Sequence, residues 1–147
     1  MEGEPVVCRP VADDAELASA YDLRTEVFVD EQGCPIEEEI DEVDPVAKHF
    51  VAVRGGRIVG AARVYEAGGA AKIGRVAVKR EYRGQGIGAA LMEAAREWAA
   101  QAGYDECILH AQTPVLGFYE RLGYRAEGEE FYEANIPHYR MRRPTEG

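Results

Sequence analysis

Serine, cysteine and histidine, which often carry catalysis or hold metals, are scarce in this 147-residue sequence. Ser19 is the only serine and no G-x-S-x-G segment surrounds it, so a serine hydrolase is not expected. The cysteines Cys8, Cys34 and Cys107 are odd in number and far apart, which is typical of a reducing compartment. Cys107 and His110 should point to opposite faces of a predicted strand, so no zinc or other metal site is expected.

Long apolar runs and an excess of positive charge are also missing. No run approaches the roughly 18–20 apolar residues of a membrane helix, and the acidic first segment, MEGEPVVCRP, is unlike a signal peptide. The 17 basic residues are outnumbered by 27 acidic ones, and the net charge of −10 disfavours nucleic-acid binding. We therefore expect a cytoplasmic protein without membrane or nucleic-acid partners, folded as one domain over residues 1–147.

Hydrophobic periodicity predicts a mixed α/β (α+β) fold in the order β-α-β-β-β-α-β-α-β-β. Strands are predicted at 6–10, 49–53, 57–65, 72–78, 107–111 and twice within 124–143, and helices at 13–30, 87–102 and 114–122. Short glycine-containing turns make the second to fourth strands an antiparallel meander. The helix between the fourth and fifth strands makes that pair parallel.

The segment VAVKREYRGQGIGAALM (76–92) predicts a strand, a glycine-rich turn and a helix. Gly84, Gly86 and Gly88 let the backbone approach a ligand closely, because no Cβ intervenes. The start of the helix offers unpaired N–H groups and the positive end of the helix dipole, which favour an anion. Five basic residues cluster around this turn: Lys72, Arg75, Lys79, Arg80 and Arg83. This pattern predicts a small phosphate-bearing ligand.

The sequence matches two common phosphate-binding motifs only poorly. Gly55 and Gly60 have the glycine spacing of a Walker A loop, but the Lys and Ser/Thr that should follow are missing. Gly84, Gly86 and Ala89 match a Rossmann fingerprint literally. That fingerprint should follow its strand at once, whereas KREYR intervenes here, and the end of the next strand lacks the ribose-binding acid. A dinucleotide site is therefore disfavoured.

A third motif fits better, because Arg83-x-x-Gly86-x-Gly88 after an apolar strand resembles the pyrophosphate loop of the GNAT acetyltransferases. Residues 112–124, QTPVLGFYERLGY, resemble that superfamily's segment N-x-x-A-x-x-[LF]-Y-x-x-x-G-[FY], with Gln and Val in place of its Asn and Ala. The stretches 23–35, 110–112 and 136–138 resemble the branch that contains the ElaA- and YjcF-like proteins. The resemblance implies the acyl-CoA N-acyltransferase fold, with about six or seven strands and about four helices.

The resemblance further implies acetyl-CoA as the co-substrate, no metal, and a small-molecule or peptide amine as the acceptor. The fourth strand would pair with the pantetheine arm, and the backbone of the glycine-rich turn would hold the pyrophosphate. The residues expected to bind the cofactor are Val76, Ala77, Val78, Arg83, Gly84, Gln85, Gly86, Ile87, Gly88, Gln112 and Phe118.

Two catalytic roles follow from the resemblance and from side-chain chemistry. Tyr119 stands at the position of the family's general acid, which protonates the leaving CoA thiolate. His110 is our first choice for the base that deprotonates the amine, because imidazole titrates near neutral pH. Lys72 stands where some members carry, on the fourth strand, a glutamate that acts as the general base. The alternative bases are carboxylates of the first helix, or water linked to them: Glu26, Asp30 and Glu31.

The acceptor pocket is less determined by the sequence. Candidate substrate contacts are Phe28, Glu31, Arg75 and His138, although Arg75 could instead pair with an acid and His138 could instead pack in a turn. The acidic run at 37–44 is expected to be a solvated face or to select a cationic substrate. Three alternatives remain open: a non-catalytic acyl-CoA-binding module, another acyl donor and a homodimer. Another acyl donor is suggested by VFVDEQG (27–33), which faintly resembles acyl-homoserine lactone synthases.

Overall fold

A computed structural model describes residues 5–146, apart from the side chain of Glu38. Its seven strands form one sheet in the order β1-β2-β3-β4-β5-β7-β6. The strands are β1 (Val7–Pro10), β2 (Lys48–Arg54), β3 (Arg57–Ala67), β4 (Ala70–Val78), β5 (Glu106–Gln112), β6 (Arg125–Glu133) and β7 (Ile136–Pro144). The α-helices are α1 (Asp14–Arg24), α2 (Ile36–Glu39), α3 (Ile87–Gln101) and α4 (Leu116–Arg121). The predicted mixed sheet is confirmed, and the element order agrees except for the short helix α2, which the periodicity did not predict.

Strand pairing follows the turn chemistry of the sequence. The strands β1 to β4 are antiparallel neighbours, and β4 pairs in parallel with β5 across the α3 crossover. The last strand, β7, lies between β5 and β6 and is antiparallel to both. Within residues 5–146, no helix is both long and apolar enough to cross a membrane.

Helix α3 has the amphipathic pattern that its sequence predicts. Ile87, Leu91, Met92, Ala95 and Ala99 form its buried face. The helix ends before Gly103, whose φ of 95° is the left-handed conformation favoured just past a helix C-terminus. These residues and the inward side chains of β2 to β5 form the larger of two cores, on one face of the sheet.

Helix α1 covers the opposite face and begins as expected, with the Asp13 side chain accepting a hydrogen bond from the Glu16 N–H at 2.9 Å. Its α-helical part ends at Arg24, and residues Thr25–Glu31 continue as a π-helix. The predicted single α-helix to about Asp30 is therefore wrong in its last two turns. The i, i+4 stripe could not show this, because it does not register the wider i→i+5 turn.

Candidate active site

The parallel strands β4 and β5 are paired only at Ala71–Cys107 and Lys72–Ile108. Beyond these pairs β4 continues to Val78 and β5 continues to Gln112, but the two strands are no longer hydrogen-bonded to each other. The sheet therefore opens between their C-terminal ends, in a gap that we call the wedge. Backbone groups along this part of β4 lack a strand partner on the β5 side.

A β-bulge lies on β4 just where it leaves β5. Between Gly74 and Ala77, β4 holds one more residue than the facing stretch of β3. Arg75, inside the bulge, has a φ of 51°, which is uncommon for a non-glycine residue. Because a bulge bends its strand and increases the local twist, it turns β4 away from its neighbour.

The glycine-rich turn lies beyond the end of β4, between a 3₁₀ turn (Arg80–Tyr82) and α3. Gly84 and Gly86 have φ values of 80° and 81°, and a Cβ built on either would meet no atom within 4 Å. No side chain caps the start of α3. The turn therefore presents backbone N–H groups next to open space, an arrangement that suits a phosphate group.

Two arginines near this turn already have partners. Arg83 Nε donates to the Val78 carbonyl at 2.9 Å, and Arg83 Nη2 pairs with Glu31 Oε1 at 2.7 Å. Arg54 donates to the side-chain oxygen of Gln85. Glu31, a candidate for acceptor binding, thus lies at the glycine-rich turn, where a pyrophosphate would compete with it for Arg83.

The other wall of the wedge is formed by β5 and α4. A Cβ on Gly88 would lie 3.4 Å from the Phe118 ring, so the start of α3 and α4 are in close contact. Gln112, at the end of β5, donates to Gln32 Oε1 at 2.9 Å. Because Glu31 and Gln32 are adjacent, the end of the π-helix contacts both walls of the wedge.

Tyr119 lies on α4, packed edge-to-face against Phe118 and Tyr124 with ring centroids 4.9 and 6.2 Å apart. Burial raises the pKa of Tyr119 to about 12, because the phenolate would lose hydration. No described residue hydrogen-bonds its hydroxyl. The phenol is therefore fully protonated at neutral pH and can donate a proton.

His110 lies on the divergent part of β5, on the face of the sheet opposite α3. Its Nδ1 is 3.0 Å from Glu133 Oε2, and its ring packs edge-to-face against Phe131 at 4.9 Å. His138 stacks on Phe131 with ring centroids 5.9 Å apart and donates from Nδ1 to the Ile136 carbonyl at 2.7 Å. Two sequence-predicted residues, His110 and His138, are thus joined by Phe131 and Glu133.

The acidic run is only in part the solvated face that was expected, because Glu37 and Glu42 are exposed and two other acids of the run are not. Glu39 and Asp44 are almost fully buried, together with Arg24 and Arg63. Arg24 donates to Glu39 Oε1 at 2.9 Å and to Asp44 Oδ1 at 2.8 Å, and Arg63 donates to Asp44 Oδ1 at 3.0 Å. Neutralisation by these arginines is what permits the burial of the carboxylates.

Arg75 joins the edge of this network, with Nε 3.0 Å from the Glu39 carbonyl and Nη2 3.3 Å from Asp41 Oδ2. It therefore pairs with acids and is held away from the glycine-rich turn. Phe28, another acceptor candidate, packs against the smaller core under α1.

Sequence reasoning missed Glu133 and the buried network. The sequence did contain a signal for the network, because Arg24 falls on the apolar stripe of α1 and Arg63 stands within the apolar run of β3. A basic side chain at such a position is buried and requires an acidic partner. Glu133 had no comparable signal, because its partner is on a strand distant in sequence. In the described part of the chain, no group of three or more His, Cys, Asp or Glu side chains could hold a metal.

The comparisons with known proteins show which family has this fold and this glycine-rich turn. Residues 12–144 match the family model described as an acetyltransferase (GNAT) domain. The chain belongs to this GNAT acetyltransferase family. Membership supports N-acyltransferase activity with an acyl-CoA co-substrate.

Similar proteins narrow the branch to the ElaA- and YjcF-like one. The chain is 41% identical over 129 residues to a Bacillus subtilis (strain 168) protein called an uncharacterized N-acetyltransferase, YjcF, covering 87% of this chain and 92% of that protein. A solved acyl-CoA N-acyltransferase from Pseudomonas aeruginosa is 36% identical, with a TM-score of 0.84 over 96% of this chain and 99% of that one. Escherichia coli ElaA is 28% identical, with a TM-score of 0.82 over 95% and 99%.

Proposed function

We propose that the protein transfers the acetyl group of acetyl-CoA to a primary amine by direct attack in a ternary complex. The observation that carries this proposal is the wedge between β4 and β5, with the glycine-rich turn at its open end. An extended ligand arm ending in a phosphate fits this combination. The acceptor reaches the same gap from the face that carries His110.

The residues present fit the pantetheine arm and the pyrophosphate of an acyl-CoA molecule. The backbone of Val76 and Val78 pairs with the pantetheine arm as an added strand does, and Ala77 lies between them. The pyrophosphate binds the backbone from Arg83 to Gly88, including Gln85 and Ile87, and displaces Glu31 from the Arg83 guanidinium. Gln112 and Phe118 line the far wall. Each of these contacts is supported by an open strand edge, an open turn or a side chain in the wedge.

The reaction needs two proton transfers. His110 takes a proton from the ammonium group, and the free amine attacks the thioester carbon. A backbone N–H near Val78 stabilises the oxyanion, the C–S bond breaks, and Tyr119 protonates the CoA thiolate. The amine nitrogen loses its second proton through water to the tyrosinate, which restores the phenol. Amide, CoA thiol and one released proton are the products.

The acceptor-binding candidates differ in whether their side chains already have partners within the protein. Phe28, Glu31 and Arg75 all have partners within the protein. His138 is the candidate that shares Phe131 and Glu133 as neighbours with His110. We expect the acceptor to be a small molecule or a peptide amine. A cytoplasmic location and a homodimer stay predictions.

The first test is the melting temperature with acetyl-CoA, with NAD as the control. A ligand at 100 times its Kd stabilises the folded state by about 2.7 kcal/mol. For a chain of this size, that corresponds to a rise of roughly 5–11 °C. A rise with acetyl-CoA alone supports the proposal, whereas a rise with NAD alone contradicts it.

The alternative is a binding or sensing module that holds acyl-CoA without turnover. The raised pKa of Tyr119 favours it, because proton transfer from this phenol to a thiolate is uphill. Steady-state release of CoA with a panel of amines separates the two functions. An acyl-CoA series in the same assay tests whether acetyl is the preferred group.

A further inference from the structure

We infer that Glu133 is a positioning residue that orients His110 as the general base, so that the two form a dyad on the acceptor face of the sheet. This inference rests on the proposed function and extends it to a residue of β6 that no sequence motif contains. Glu133 itself touches neither substrate nor cofactor in this scheme.

The sheet order brings the two side chains together from distant parts of the chain. β7 separates β5 from β6, and the Glu133 carboxylate reaches across it to His110 Nδ1 at 3.0 Å. The same carboxylate lies 4.0 Å from His138 Nε2. Phe131, two residues before Glu133, packs against the rings of both histidines. These aromatic contacts restrict how the His110 ring can turn.

The hydrogen bond determines which ring nitrogen is available. An ionised carboxylate only accepts, so the His110 nitrogen that faces it, Nδ1, carries the proton. The second nitrogen, Nε2, then has a free lone pair, and no described residue hydrogen-bonds it. A base oriented in this way can take a proton from an ammonium group in the wedge, and the carboxylate stabilises the imidazolium that forms.

The charges around His110 support an ionised Glu133. The hydrogen bond from His110 holds the pKa of the Glu133 carboxyl below its usual value, assisted by the nearby charges of Lys72 and His138 and opposed by partial burial. Arg140 lies directly opposite His110 in the β5–β7 ladder, but its Nε donates to Glu127 at 2.9 Å. The charged and titratable groups facing the ring are therefore Glu133 from β6, Lys72 from β4, and His138 and Arg140 from β7.

Glu133→Gln tests the dyad, with Glu129→Gln as the matched control on the same strand. The amide can present its NH₂ group to Nδ1, which favours the wrong tautomer and removes the charge partner of the imidazolium. We expect kcat to fall at least about 10-fold, with the Kd for CoA changed less than twofold. The acidic limb of the rate profile should also move to lower pH. Glu129→Gln should change none of these quantities.

A double-mutant cycle separates positioning from general damage. In a His110→Gln background, Glu133→Gln should cause little further loss, because residues that act as a unit are not additive. A full additional loss in that background would overturn the inference, as would an unchanged pH profile in the single variant.

A spectroscopic readout keeps this test distinct from the proposed function. NMR of the ring nitrogens reports which nitrogen of neutral His110 carries the proton, without any turnover, and Glu133→Gln should reduce the share that carries it on Nδ1. If no amine is acetylated and this share still falls, the proposed function fails while the His110–Glu133 contact stands. If the share does not change, the dyad is wrong whether or not the enzyme turns over.

Discussion

Tyr119 is held in surroundings that favour its neutral form. Its ring packs between Phe118 and Tyr124, and burial raises its pKa to about 12, against roughly 8.5 for a free thiol. A neutral phenol is the form that a general acid needs at the start of the reaction. The same burial makes the phenolate costly, so transfer must be coupled to the second deprotonation of the amine.

Tyr119→Phe removes the proton and retains the ring. We expect kcat to fall by about 10²–10⁴-fold, the usual contribution of general acid–base catalysis, while the Kd for CoA stays constant. Because the phenol stays protonated at any pH well below 12, wild-type activity should show no alkaline loss assignable to Tyr119 up to about pH 10. Steady-state kinetics measure kcat and its pH dependence, and CoA titration measures the Kd. Tyr124→Phe is the control, and unchanged turnover in Tyr119→Phe would remove Tyr119 as the acid.

Residues differ in how far the sequence could reveal them. The glycine spacing placed Gly84 and Gly86 in a predicted site, and the resemblance of residues 112–124 to a family segment placed Tyr119 there. The acid pairing of Arg75, left open by the sequence, depends on an acidic loop that lies more than thirty residues before it. Glu133 likewise depends on the order of strands in the sheet, which periodicity does not give.

At the scale of elements, three local features that follow one another along the chain form the wedge and its open end: the bulge of β4, the glycine-rich turn and the start of α3. The sequence predicted the turn and the helix from glycine spacing and the apolar stripe. It did not predict the bulge, because an extra residue in a strand leaves no clear signal when Arg75 takes a left-handed conformation without glycine. The π-helix after α1 was missed for a similar reason, since periodicity reports only the regular turn.

Gly86→Ala tests the turn, and Gly103→Ala at the other end of α3 is its control. Both glycines have left-handed φ values, of 81° and 95°, and both have open space where a Cβ would be built. Each variant should therefore lose about 1–2 kcal/mol of stability through backbone strain. Only Gly86→Ala should also weaken CoA binding, by about 10-fold or more, because its methyl group enters the phosphate space. Urea unfolding and CoA titration separate the effects, and equal CoA affinities in the two variants would contradict this site.

The whole molecule divides its acidic charge between surface and interior. The run of acids at 37–44 suggested a solvated face, yet Glu39 and Asp44 of that run lie inside. Their arginine partners come from α1 and β3, and Arg75 of β4 joins them at the edge. The network therefore ties the chain between α1 and β2 to the sheet beside the wedge. Net charge could not predict this arrangement, because it does not say which acids face inward.

Asp44→Asn tests how far the fold depends on this network. Burial opposes ionisation of Asp44, but hydrogen bonds from Arg24 and the Asp41 N–H outweigh it, so its pKa lies well below the ordinary value. The variant leaves buried arginine charge uncompensated and should lose about 3–5 kcal/mol at pH 7, as measured by urea unfolding. Asp22→Asn, an exposed change on α1, should stay within about 0.5 kcal/mol of wild type.

The pH dependence gives the sharper form of this prediction. Because the folded pKa of Asp44 is lowered, its stabilisation is fully present above the unfolded value of about 3.9 and is lost as the pH falls toward the folded value. The difference between wild type and Asp44→Asn should therefore stay constant from pH 8 to about pH 5 and narrow below about pH 4. A difference that persists unchanged in acid would mean that the asparagine disturbs packing, and that the charge of Asp44 does not hold the network together.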